Sequence, residues 1–274
     1  MQNASQIGAT PRGATLPING VALAYDEAGS GPPLLLIHAG IVDRRMWDDV
    51  LPALAARCRV IRFDMRGYGD TPLPSGEFSY GADVVELLRA LGIERCSIVG
   101  VSMGGHVALD VAIAHPELVD RLIVVASGID GWEHSAGMRA LWAEEEAAWD
   151  RGDLDEVAWI NVRGWLDGPS RGPDAVPGEL RQRVFEMQRR ALDYDNDDAK
   201  GGWLVESRRA RLGDVRAPTL VLVGEFDQPD FAEIARVLAS EIPDATFQEL
   251  AGVAHLPPME DPAGFSRVVL DVLS

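Results

Sequence analysis

Five short, nearly continuous apolar runs punctuate the chain, at residues 33–38, 60–64, 97–101, 122–126 and 220–224. Each is followed by turn residues and then by a stretch with helical spacing. Strands that are apolar at consecutive positions are buried on both faces, so their alternation with helices predicts a mostly parallel sheet flanked by helices. Residues 21–25, with turn residues 17–20 before them, predict part of an N-terminal antiparallel hairpin. Later in the chain a helix over 231–240 leads to a strand near 246–250, and a last helix covers 263–273. Between about 132 and 212 the alternation stops. That stretch shows no strand pattern, but Leu180, Val184, Met187 and Ala191 recur at the spacing of one helical face. The pattern predicts one α/β core, residues 1–131 and 213–274, interrupted by an inserted helical cap at 132–212.

Composition narrows the function. The 274 residues carry 25 Lys plus Arg against 43 Asp plus Glu, a formal charge of -18. Phosphate backbones and anionic lipid surfaces attract basic patches, so neither nucleic acid nor a membrane surface is an expected partner. Residues 1–15 hold a single arginine and no apolar run, and no stretch approaches the length of a membrane span, so the expected compartment is the cytoplasm. Two cysteines, Cys58 and Cys96, are too few for a disulfide framework or a structural zinc site.

The chemistry concentrates at three places. Gly100-Val101-Ser102-Met103-Gly104 fits the G-x-S-x-G nucleophile elbow, with an apolar strand running in and a helical segment, 105–115, running out. In such an elbow the serine sits on a sharp, strained strand-to-helix turn that projects its hydroxyl, and the small neighbours let the backbone pack closely. A serine hydroxyl is a weak nucleophile at neutral pH and needs a base, which in turn needs an orienting acid. Asp227 follows the strand at 220–223, and His255 follows 28 residues later in a loop before the last helix. Ser, Asp, His is the chain order found in α/β-hydrolases.

With those residues in place, nearly the whole chain resembles the α/β-hydrolase family, in particular the capped serine hydrolases that include carboxylesterases, enol-lactonases, carbon-carbon bond hydrolases and cofactor-free haloperoxidase-like enzymes. The matching segments are 34–40, ending in His38-Ala39-Gly40, then Phe63-Asp64-Met65-Arg66-Gly67-Tyr68-Gly69, the elbow, the 224–227 turn and the His255 loop. The resemblance implies a triad of Ser102, His255 and Asp227, and an oxyanion hole formed by the backbone N–H groups of Met103 and Gly40. Ile41 is the alternative second donor. Relatives usually carry glycine where Ala39 stands. Some relatives place the acid after the strand that follows the elbow helix, which makes Asp130 the alternative to Asp227. Serine at the elbow sets the chain apart from the epoxide hydrolases and haloalkane dehalogenases of this fold, which use aspartate there.

The resemblance implies a hydrolase of a small carboxylic ester or lactone, with no metal or organic cofactor. Carbon-carbon hydrolases typically carry an aromatic after the histidine and an asparagine before the serine, where this chain has Leu256 and Val101. They remain the alternative, together with haloperoxidase-like chemistry. A ligand receptor that keeps the triad but does not turn over is an alternative of another class. Family sheet order places a strand between those that Cys58 and Cys96 begin, beyond disulfide reach. The acidic cluster Asp193, Asp195, Asp197 and Asp198 lacks the glycine and glutamate of a calcium loop and is expected to be a solvated loop.

Six of the seven tryptophans lie in the predicted cap, which holds 17 acidic and 12 basic residues. Acidity is thus spread over cap and core alike, and tryptophan is the unevenly distributed residue. Trp142, Trp149, Trp159 and Trp165 are candidate pocket residues. Trp47, outside the cap and just past the oxyanion loop, is a fifth. His38 is expected to hydrogen-bond within its loop and His106 to pack.

Overall fold

The computed structural model describes residues 13–274; residues 1–12 of the predicted core lie outside the described residues. Ten strands are present among them: β1 (Ala14–Ile18), β2 (Val21–Ala28), β3 (Pro33–Ile37), β4 (Arg59–Phe63), β5 (Gly76–Ser79), β6 (Cys96–Val101), β7 (Val119–Val125), β8 (Ala199–Gly202), β9 (Thr219–Gly224) and β10 (Ala245–Leu250). The α-helices are α1 (Leu51–Ala55), α2 (Tyr80–Ala90), α3 (Met103–Ala114), α4 (Ala136–Asp150), α5 (Leu154–Asn161), α6 (Gly178–Leu192), α7 (Pro229–Glu241), α8 (Pro257–Glu260) and α9 (Pro262–Val272).

Eight strands form one sheet in the order β1-β2-β4-β3-β6-β7-β9-β10. β1 and β2 are antiparallel to their neighbours, and the rest of the sheet is parallel. The interior strands owe their place to their composition. β6 and β9 are buried at every position, and a strand with apolar side chains on both faces is stable only between two helical layers. β10, at the sheet edge, is largely exposed. Cys58, just before β4, and Cys96, at the start of β6, are buried free thiols with β3 between their strands.

Between β7 and β9 the chain runs through α4, α5, a π-helical turn at Val162–Asp167, α6 and β8. The expectation that 132–212 contains no strand is corrected here. β8 pairs in parallel with β5, from Gly76 opposite Ala199 to Ser79 opposite Gly202, as a separate two-stranded sheet. Its residues, Ala-Lys-Gly-Gly, carry no apolar alternation, so the strand exists only because a distant partner supplies the hydrogen bonds.

A buried carboxylate ties this excursion to the core. Asp110 on α3 has no accessible surface and accepts the backbone N–H groups of Leu204 (2.8 Å) and Val205 (2.9 Å), with Arg208 Nη1 at 3.7 Å. Among the described residues, no helix is long and apolar enough to cross a membrane.

Removing Asp110 leaves the backbone N–H groups of Leu204 and Val205 without their acceptor and takes one of two carboxylates from the buried Arg208 guanidinium, which keeps Asp130. Asp110→Ala is therefore expected to destabilise the fold by about 3 kcal/mol, read as a lowered denaturant midpoint. An unchanged midpoint would show that water replaces the carboxylate without loss.

Candidate active site

The turn from β6 into α3 is a tightly constrained piece of backbone. Ser102, between them, has φ 54° and ψ -116°, a conformation that costs a non-glycine residue about 1–3 kcal/mol and persists only where surroundings over-determine it. The surroundings do. Ser102 N–H donates to Val125 O of β7 (2.8 Å), and Ser102 O accepts from His106 N–H (3.1 Å) as the first bond of α3. A Cβ at Gly100 would collide with Gly104 O, and one at Gly104 would collide with the carbonyls of Ile37 and His38. The two glycines are thus required by close approach of three backbone segments. Ser102 keeps partial exposure, and Met103 opens α3 with its N–H at the positive end of the helix dipole.

Asp227 and His255 meet two strands away. Asp227, in the turn after β9, is 7% exposed, and His255, in the loop after β10, is 1% exposed. His255 Nδ1 lies 2.9 Å from both carboxylate oxygens of Asp227, so its N–H donates to the carboxylate and leaves Nε2 with a lone pair. Asp227 is itself held by the Gln228 N–H at 2.7 Å. The ends of β6 and β9 are two strand spacings apart, about 10 Å. No hydrogen bond joins His255 to Ser102 among the described residues, and such contacts commonly tighten only around a bound substrate.

Two residues absent from the sequence reading fix the histidine loop. Glu260 in α8 accepts the N–H groups of Ala254 (2.9 Å) and Leu256 (3.0 Å), one on each side of His255. Arg171 donates to Glu260 (2.5 Å) and to the carbonyls of Leu166 (2.6 Å), Asp167 (2.8 Å) and Gly252 (3.2 Å). Burial raises the Glu260 carboxyl above its ordinary value, against the pull of Arg171. The π-helical turn adds Trp165, whose ring lies 4.5 Å from the His255 ring and whose carbonyl accepts the His255 N–H at 3.4 Å. Phe231 meets the imidazole edge-on at 4.8 Å and the Trp165 ring at 5.5 Å. The only cue in the sequence was the position of Glu260 in the His-Leu-Pro-Pro-Met-Glu segment.

The loop after β3 is fixed by His38. Its Nδ1–H donates to Ala39 O (2.8 Å) and its Nε2 accepts the Met65 N–H (2.9 Å), so the ring is neutral with a set tautomer. Burial drives its pKa down to about 4. Ala39 is fully buried, and Gly40 comes beside the Met103 side chain and the Tyr68 hydroxyl, each about 3.5 Å from where a Cβ on Gly40 would stand. Ile41 is 9% exposed.

Asp130 is committed elsewhere. It pairs with the Arg208 guanidinium and accepts the Arg208 N–H at 2.7 Å. His106 packs edge-on against Trp203 at 5.6 Å, and burial lowers its pKa to about 4. Of the candidate tryptophans, Trp165 meets His255 and Trp149 lines a cavity that begins at Gly40 and Tyr68. Trp142 and Trp159 do not line it; they pack on His134 at 4.6 Å and Phe185 at 4.6 Å. Trp47 is corrected from pocket to core: it has no accessible surface and packs against Phe265 of α9 at 6.2 Å. A side chain with no accessible surface lines no space that a ligand can enter.

The fold and these residues define an α/β hydrolase. The sequence pattern of the alpha/beta hydrolase fold family matches residues 32–262, and the chain belongs to that family. It is 40% identical over 268 residues to 2-hydroxy-6-oxo-6-(2'-aminophenyl)hexa-2,4-dienoic acid hydrolase of Metapseudomonas resinovorans, covering 93% of this chain and 88% of the relative. It is 28% identical over 257 residues to the pimeloyl-acyl-carrier-protein methyl ester esterase of Aeromonas hydrophila, covering 91% and 98%. A crystallised hydrolase from Pseudomonas aeruginosa PA01 shares the fold with a TM-score of 0.77 and 28% identity, over 99% of this chain and 100% of that one.

The burial of His38 makes stability depend on acid in a definite direction. An unfolded histidine protonates near 6.5 and the folded His38 near 4, so its contribution is complete above pH 6.5 and is lost as the pH falls through 4, a swing of about 3 kcal/mol. Urea denaturation at pH 7 and pH 4 should show a smaller acid loss in His38→Gln than in the wild type, by about that amount. Equal losses in both proteins would mean that His38 is not the titrating group.

Proposed function

We propose that this chain is a serine hydrolase that cleaves a small carboxylic ester or lactone through an acyl-enzyme. The observation that carries the reading is the Asp227–His255 pair, with Nδ1 committed to the carboxylate and Nε2 left at the same edge of the sheet as the strained Ser102 turn. His255 Nε2 takes the Ser102 hydroxyl proton as Oγ attacks the carbonyl carbon. The N–H groups of Met103 and Gly40 stabilise the oxyanion of the tetrahedral intermediate, an interaction whose loss typically costs about 100-fold to 1000-fold in rate per donor. His255 then returns the proton to the leaving oxygen, which departs as an alcohol or, in a lactone, stays tethered. Water activated through the same imidazole attacks the acyl group and releases the acid. Asp227 holds the tautomer and stabilises the imidazolium.

Similarity to a methyl ester esterase supports ester chemistry. The 40% identity to a dienoic acid hydrolase favours a second reading, carbon-carbon bond hydrolysis, which would use the same serine and histidine. Leu256 and Val101 stand against it, in places where that subclass typically has an aromatic and an asparagine.

Steady-state kinetics on p-nitrophenyl esters, lactones and a meta-cleavage dienoate rank the readings, and multiple turnovers separate all of them from a ligand receptor. On the best substrate, Ser102→Ala should lose at least ~1000-fold in kcat, Asp227→Ala about 10,000-fold, and Asp130→Ala only what its folded fraction accounts for. Activity retained in Ser102→Ala, or a larger loss in Asp130→Ala than in Asp227→Ala, would overturn the assignment.

A further inference from the structure

A cavity of about 230 Å³ opens between the oxyanion loop and the helices of the inserted segment. Gly40, Tyr68 and Tyr80 form its core side, and Trp149 and Gln188 form the side given by α4 and α6. Its volume is below the range of about 300–1,000 Å³ usual for ligand sites, which limits it to a short chain.

One of its walls carries an unanswered polar group. Gln188 is 6% exposed, yet among the described residues no hydrogen bond reaches its buried Oε1. An unsatisfied buried acceptor of this kind costs about 1–3 kcal/mol. It faces inward on α6 beside Val184 and Met187, which are buried in the core, so solvent does not explain it.

The other polar groups on the wall are largely committed. Arg66 gives Nε and Nη2 to Asp83 at 2.5 and 2.9 Å, and Nη2 also to Asn19 O at 2.8 Å. The Tyr194 hydroxyl donates to Gly69 O (3.0 Å), and the Asn196 amide donates to Leu73 O (3.0 Å). Burial keeps the phenols of Tyr68 and Tyr80 neutral, raising the Tyr80 pKa to about 12. The lining therefore offers a neutral carboxamide and neutral hydroxyls, while its one cation is already paired and an exposed carboxylate, Asp195, stands on the rim.

We propose that this cavity selects substrates bearing a neutral amide a few atoms from the scissile carbonyl, with the Gln188 carboxamide as its hydrogen-bond partner. The Gln188 oxygen is itself buried, so binding includes a turn of the carboxamide about its last side-chain bond that brings the oxygen to the cavity; a secondary amide then supplies the N–H that this oxygen lacks and a carbonyl for the Gln188 nitrogen. Among the described residues, a carboxylate-bearing chain would meet no free cation on the wall. This rests on the hydrolase reading above, because Gly40 joins the cavity to the oxyanion loop.

The test uses three ethyl esters of equal acyl length, those of N-acetylglycine, pentanoic acid and glutaric acid (the monoester), followed by pH-stat. Wild-type kcat/KM for the N-acetylglycine ester should exceed that for the pentanoate at least tenfold and that for the glutarate by more. In Gln188→Met, close in size but without the amide, the N-acetylglycine to pentanoate ratio should fall below threefold. Gln188→Glu, which keeps an acceptor but no donor, should hold an intermediate ratio. A wild-type ratio near one, or a ratio unchanged in Gln188→Met, would overturn the proposal. Calorimetric binding of the same esters to Ser102→Ala, with and without Gln188→Met, reads the preference without catalysis. A tenfold tighter Kd for the amide ester, abolished by Gln188→Met, supports the proposal, and equal Kd values overturn it. Absence of turnover on every ester would sink the hydrolase reading alone and leave the binding measurement to decide this one.

Discussion

The close approach of three backbone segments at the end of β6 is the constraint on which the site depends. Gly100 and Gly104 have no room for a side chain, the first against the start of α3 and the second against the carbonyls of Ile37 and His38. This contact drives Ser102 into its left-handed conformation and sets α3 directly against the end of β3. The loop after β3 is then carried past the first turn of α3, which is why Gly40 lies beside Met103. One packing event thus aligns the serine, the helix N-terminus and the Gly40 loop, and His38 keeps the loop from relaxing through its bonds to Ala39 and Met65.

The histidine side of the site is assembled differently, by charged and aromatic contacts with the inserted segment. Glu260 holds the N–H groups on either side of His255 while Arg171, from beyond the π-helical turn, holds Glu260. Trp165 from the same turn lies on the imidazole. The segment between β7 and β9 therefore contributes to the position of His255 as well as to the walls of the cavity below α6. A change in that segment would be felt at the imidazole before it reached the sheet, because Arg171 binds the turn and the loop at once.

Much of this was legible in the sequence where a residue type has one good reason to stand where it does. The buried parallel strands announce themselves as unbroken apolar runs, and the elbow glycines are explained by a collision that any side chain would cause. Asp227 and Asp130 both follow strands, and only the fold shows that one meets His255 while the other is taken by Arg208. β8 left no trace because Ala-Lys-Gly-Gly becomes a strand only through its partner β5. Arg171 and Gln188 look like solvated residues in a charged segment; the partners of the first and the burial of the second show only in the fold. Trp47 shows the reverse error, since an aromatic near an active-site loop is as readily a core residue.

The central claim is that the strained turn presents Ser102 as the nucleophile for the Asp227–His255 pair. Incubation with a fluorophosphonate, followed by peptide mapping by mass spectrometry, tests it most directly. One adduct per chain is expected, on Ser102, forming at a rate that collapses in Asp227→Ala. An adduct on a different residue, or none on the folded wild-type protein, would contradict it.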